Sequence, residues 1–284
     1  MSLTIKSKHW CNPFSSAISA KEKLFFLLRF GIMGCFVGHG FWGIVGKSGW
    51  IPFFQIFYFS EETIRFMMPA IGILDITIGI CAFFIPTRAL LIWAAIWTFF
   101  TAMLRPSAGM GMSEFFERAG NYMLPLAFLW LVNGFDRSQR LWTVLTKNSL
   151  SLENRGREFA FFARLAIALL LIGHGGLAFF NDHPVLTKHF NYLGLNPLGL
   201  DMKVFGLFEM TLGSFFFMFP RTKGLLVFIL IFKIASELLH PLAGMPIDVF
   251  ETIERMGDYI LPVILLTYYS AVKTADKRQL SGSF

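Results

Sequence analysis

The chain has 284 residues, of which 55% are apolar and only 15% charged, with a formal charge of +7; its mean hydropathy is +0.59. A soluble domain carries roughly a quarter charged residues, and here the deficit falls in runs long enough to cross a hydrocarbon core of about 30 Å. The runs are continuously apolar rather than alternating, so they do not read as porin strands, and the fold class is all-α, a polytopic membrane protein.

Residues 1–22 are polar and broken by Pro13, with no apolar core of a cleavable signal. The apolar runs then predict eight helices, at 24–45, 63–85, 88–104, 119–134, 159–180, 201–219, 222–239 and 256–271. They group as a first four-helix unit at 23–135, a linker at 136–158, a second unit at 159–271 and a tail at 272–284. Pro86, Pro106, Pro184, Pro220 and Pro241 are expected stops. Cys11, Cys35 and Cys81 form no C-x-x-C pair, which argues against a quinone-coupled, disulfide-forming enzyme. Cys35 and Cys81 lie within apolar runs and read as small buried side chains.

The positive charge segregates by segment. The N-terminal segment, the turns at Arg88 and at Arg221–Lys223, the linker and the tail hold 17 basic residues against five acids, while the other loops hold ten acids. Lys and Arg excess sets orientation, so both termini are expected in the cytoplasm, with outer loops near 46–62, 105–118, 181–200 and 240–255. A bacterial inner membrane is the expected location, the lipid bilayer is the expected partner, and the charge is no footprint of nucleic acid.

The two units repeat one another. Arg29-x9-His39 in "RFGIMGCFVGHG" returns as Arg164-x9-His174 in "RLAIALLLIGHG", and "GILDITIG" with Asp75 returns as "GLFEMTLG" with Glu209. "RPSAGM" from Arg105 matches "HPLAGM" from His240, and "EFFERAGNYMLP" from Glu114 matches "ETIERMGDYILP" from Glu251 at seven of twelve positions. An even number of helices per unit puts both copies the same way up, about a pseudo-twofold along the membrane normal.

An Arg opening the first helix, a Gly-His-Gly near its end and an acid within "GLFEMTLG" resemble the DoxX-type membrane proteins. The short basic turn after that helix, at Pro86 or Pro220, fits as well. The resemblance covers about the first three helices of each unit. It implies a fused pair of four-helix proteins and a redox or quinone-linked role, alongside membrane or redox partner subunits. The family often places a Lys soon after the His-Gly, whereas here Lys47 stands eight residues after His39 and Asp182 takes its place after His174.

Ionisable groups inside a bilayer are costly and point to function or to polar helix packing. The first set of candidates is His39, Asp75, His174 and Glu209, joined by Lys233, Glu237 and His240 on one face of the seventh predicted helix. At the matching positions Thr98, Ala102 and Arg105, only the last is charged, so the second unit is expected to be specialised. The second set forms an outer vestibule: Arg105, Glu114, Glu117, Arg118 and Tyr122, with Glu251, Glu254, Arg255, Asp258 and Tyr259. It reads either as a cation, proton or head-group site, or as an ion-paired cap at helix N-termini. No H-x-x-x-H or H-E-x-x-H spacing supports a metal, and nothing in the spacing brings His39 and His174 together on a haem. Catalytic residues are not identified by any motif. Three functions remain: a quinone-linked redox component whose Phe-rich walls hold a quinone tail, a small-solute or proton-coupled transporter, and a non-catalytic scaffold. The 35 Phe residues otherwise read as lipid-facing and core packing.

Overall fold

A computed structural model describes residues 19–136, 138, 140–195, 201–219 and 222–281, with side chains as far as residue 273. The expectations for residues 1–18, Arg137, Pro220, Arg221 and the end of the tail lie outside the described residues. The described chain is helical, without a strand, apart from one bridge between Thr87 and Val144.

The first half runs α1 (Ala20–Val45), α2 (Ile51–Gln55), α3 (Glu61–Phe84), α4 (Arg88–Ser107), α5 (Met112–Glu117) and α6 (Ala119–Leu131). The second runs α7 (Leu152–Phe180), α8 (Pro184–Tyr192), α9 (Met202–Met218), α10 (Lys223–Ala243), α11 (Val249–Glu254) and α12 (Met256–Ser281). Five of these, α1, α3, α4, α7 and α10, are long and apolar enough to cross a membrane. The other three expected spans fall short for different reasons. With 13 residues α6 is too brief, and α9 has 17; α12 is long enough but diluted by Asp258, Pro262 and three tyrosines, Tyr259, Tyr268 and Tyr269.

Local chemistry sets the boundaries. Ser19 and Glu22 form a reciprocal capping box that starts α1, and Gly46 closes it in the left-handed region at φ 71°. Ser60 and Thr87 accept the backbone N–H groups of Thr63 and Leu90, starting α3 and α4. Buried Arg88 donates to the carbonyls of Val132, Asn133 and Asp136, capping the C-terminal end of α6. Three of the expected proline stops lie differently. Pro184 starts α8 rather than stopping a helix, because its missing N–H is not needed in a first turn. Pro106 and Pro241 sit inside the last turns of α4 and α10, and the helices run one or two residues past them. The expected outer loops are also not plain loops, since each contains a short helix: α2, α5, α8 or α11.

Within each half the first long helix packs on the next: α1 on α3, and α7 on α9. The approach is backbone to backbone, because Gly40 meets Gly72 and Gly175 meets Gly206. Between the halves, α1 packs on α11 and α12, α7 packs on α5 and α6, and α6 meets α12. Gly38 lies against the backbone of Glu254, and Gly173 lies against the backbone of Glu117. Gly120 and Gly257 press directly on each other. A side chain at any of these glycines would displace backbone, so small residues set the helix spacing. One apolar core spans both halves, from Leu28 and Phe36 through Leu124 and Phe128 to Leu171 and Leu265.

Candidate functional sites in two lateral cavities and a charged centre

Each expected histidine is bonded to the expected acid of its own half. His39 Nδ1 lies 2.7 Å from Asp75 Oδ2, and His174 Nδ1 lies 2.6 Å from Glu209 Oε2. Both acids are buried, at 0% and 2% exposure. The second oxygens differ. Trp97 donates its indole N–H to Asp75 Oδ1 at 2.8 Å, completing the shell of that carboxylate. Phe232 occupies the matching position on α10, and Glu209 Oε1 is buried without a hydrogen-bond partner.

His39 of the first pair lines a cavity of about 310 Å³ between α1, α2, α3 and α4. Seven aromatic side chains wall it: Trp50, Phe53, Phe54, Phe57, Phe59, Trp97 and Phe100. His39, Arg105 and Thr101 supply its polar groups, the Thr101 hydroxyl donating to the Thr98 carbonyl at 3.1 Å. The His39 ring packs on Trp50 at 4.3 Å between centroids, and the Arg105 guanidinium lies 5.4 Å from the Phe53 ring centre. Phe57, Phe59 and Phe100 are partly exposed at its margin. The sequence suggests Phe-rich walls in general but singles out none of these aromatic residues, although "WIPFFQIFYF" at 50–59 is an unusually dense aromatic run for an expected outer loop. The second pair borders a smaller cavity of about 190 Å³, lined by Leu186, Phe190, Phe205, Phe232, Ser236 and Leu239 among others.

Between the halves lies a third cavity, of about 300 Å³, with charged walls. Most of the expected vestibule gathers here: Arg105, Glu114, Glu117, Arg118, Glu251 and Arg255 line it. Lys47, His183 and Asp248 join them from the loops, Lys188 and His189 from α8, His174 from α7 and His240 from α10. Its ion pairs cross between the halves reciprocally. Arg118 reaches Glu254 at 3.3 Å and Arg255 reaches Glu117 at 2.9 Å, while Lys47 pairs with Glu251. Arg255 also holds Glu251 at 2.8 Å, and His183 reaches Glu114 at 3.2 Å. Burial alone would push the Glu251 carboxyl upward, but Arg255 and Lys47 outweigh it and hold the group down at about 2. Burial, with His240 and His174 beside it, pushes His189 down to about 3, so its imidazole is neutral at pH 7.

The two tyrosines of the expected vestibule do not line this cavity. Tyr122 stacks on Phe115 at 5.1 Å, and Tyr259 donates to the Thr252 carbonyl at 2.9 Å. Lys233 and Glu237 face the interior, with Lys233 Nζ 2.7 Å from Glu237 and 3.3 Å from Asp258. His240 completes that set 3.4 Å from Glu237. In the first half Asn121 stands where Asp258 stands in the second, and it accepts from the Cys35 thiol at 3.3 Å. A pocket of about 20 Å³ lies between His39, Arg105, Arg118 and Glu254, room for one water molecule. Among the described residues, no three His, Cys, Asp or Glu side chains converge as a metal would require.

The architecture is that of a helical protein carrying membrane-length apolar helices around buried polar sites. No protein-family model matches the chain, and no curated protein or solved structure matches it.

Proposed function

We propose that the chain is a DoxX-like, quinone-binding component of a membrane redox system. In this reading it forms eight spans as two parallel four-helix repeats, both termini lie in the cytoplasm, and the bilayer is a bacterial inner membrane. The observation that carries the function is the aromatic cavity of the first half, with one hydrogen-bonded His–Asp pair and one arginine among apolar walls. A quinone is an apolar ring with two carbonyl acceptors and an apolar tail. It needs flat surfaces to stack on, a donor for a carbonyl and an opening toward lipid.

The residues supply these in turn. Trp50, Trp97 and the phenylalanines offer faces for the ring and tail. His39 engages Asp75 through Nδ1, and an N–H at its other ring nitrogen would donate to a carbonyl. Arg105 offers a further donor. When a bound quinone accepts electrons from a partner protein, its oxygens become basic, and the His39 proton is the one at hand. The water-sized pocket beside His39 and Arg105 leads toward Arg118 and Glu254, which gives a route for replacing that proton. The matched element order of the halves, their reciprocal Arg–Glu pairs and the Gly120–Gly257 contact support the repeat reading.

The charged central cavity favours a second reading, a proton-coupled transporter in which the ion pairs rearrange around a solute. Solvent extraction of the purified protein separates the two. The quinone reading predicts near-stoichiometric quinone in the extract, seen as an ultraviolet spectrum that changes on borohydride reduction. It also predicts that Asp75→Asn lowers the yield. A quinone-free extract, together with solute uptake into liposomes driven by a pH gradient, would favour transport.

A further inference from the structure

The second-half cavity has chemistry that the first lacks. Glu209 reaches its wall, is 2% exposed, and uses only Oε2, in its bond to His174. Oε1 has no hydrogen-bond partner. A buried acceptor left unmade is costly, so it calls for a donor. The nearby hydroxyl does not supply one, because Ser236 Oγ donates to the Lys233 carbonyl at 3.0 Å. Phe232, which replaces the indole donor of the first half, has none to give. His189 also lines the cavity but makes no hydrogen bond to Oε1, and the rest of the lining, including Leu186, Phe190, Phe205 and Leu239, is apolar.

We propose that this cavity binds a neutral apolar molecule whose head carries a hydroxyl, the hydroxyl donating to Glu209 Oε1. Neutrality follows from the neighbourhood. Beyond the His174–Glu209 pair, and with His189 held neutral, the lining offers no group to compensate a charge on the ligand. An alcohol or phenol satisfies the acceptor without adding charge, and a hydroquinone belongs to that class. In the first half Asp75 Oδ1 is already taken by Trp97, so that cavity has donors to offer rather than a free carboxylate acceptor.

The probes are 4-pentylphenol and its methyl ether, 4-pentylanisole, titrated calorimetrically into the full chain in detergent. One phenol should bind per chain, with the ether at least about tenfold weaker, since it keeps the apolar body and loses only the donor. Phe232→Trp places an indole donor where Trp97 stands in the first half, and should abolish phenol binding, whereas Phe232→Leu should retain it. Trp97→Phe should add a second phenol site by freeing Asp75 Oδ1, a test that does not depend on whether the larger Trp fits at 232. Equal affinity for phenol and ether, no binding of either, or a stoichiometry unchanged by Trp97→Phe would overturn the proposal. The probe is not a quinone. Failure here leaves the first-half reading standing, and a quinone-free extract does not bear on this site.

Discussion

The two halves place the same pair of groups in the same way, a histidine on one helix against a carboxylate on the next, yet surround them differently. In the first half the carboxylate is saturated by His39 and Trp97 beside a large aromatic cavity. In the second, one oxygen is left over and the cavity is smaller, while a buried Lys233–Glu237–Asp258 cluster has grown behind it. What the halves share is the part that builds the bundle, and what they do not share is the part that selects a ligand. Glycines at the helix crossings are kept because any side chain there meets backbone. The residues at Trp97 and Phe232, or at Thr98 and Lys233, are free to diverge because they face cavities and polar clusters.

The contrast is sharpest in its effect on stability. Lys233→Met leaves Glu237 and Asp258 buried with no lysine between them, and should cost about 3–5 kcal/mol. Thr98→Val, the equivalent position, loses only bonds to its own helix carbonyls and should cost about 1 kcal/mol or less. Thermal unfolding in detergent measures both, and equal losses would break the comparison. Glycine positions should instead behave alike in the two halves. Gly38→Val and Gly173→Val each force a side chain into facing backbone, and each should cost about 1–3 kcal/mol or more. A large loss from one and none from the other would mean that the halves do not pack equivalently.

A smaller effect is expected at the indole. Trp97→Phe leaves a buried oxygen of Asp75 without its donor and should cost about 1–3 kcal/mol, and His174 with Glu209 should be unaffected. The smallest effect is that of pH. His189 is depressed in the folded chain, so the unfolded chain binds the extra proton first. Stability should therefore fall as pH drops below about 6.5, the ordinary histidine value, toward 3. The depressed Glu251 carboxyl contributes in the same direction at lower pH, its share being lost between its ordinary value of 4.5 and about 2. His189→Gln should flatten the melting temperature between pH 7 and 5. An unchanged slope would assign the dependence elsewhere.

The sequence made the long helices and the polar pairs legible for different reasons. The apolar runs placed the long helices by their length, and prolines marked their ends only to within a few residues, whereas the caps at Ser60, Thr87 and Gly46 emerge from the structure. His39 with Asp75, and His174 with Glu209, stood out because each recurs at a nearly constant offset, and an ionisable group in an apolar run is conspicuous. The short helices α2, α5, α8 and α11 did not stand out, since five to nine residues are too few to establish a period. Nor did the aromatic cavity, because Trp50 and Trp97 come from separate elements and become neighbours only when α2 folds back over α4. The second partner of Asp75 was hidden for the same reason: an indole among 35 phenylalanines carries no mark of what it donates to.

The central claim is that the first half, and not the second, holds the quinone. A short-chain quinone titrated into the purified protein should quench the fluorescence of Trp50 and Trp97, which line that cavity. His39→Gln should weaken the quenching constant at least about tenfold, the loss of one good hydrogen bond to the head group, while His174→Gln leaves it unchanged. Equal weakening by both substitutions, or by neither, would contradict the account.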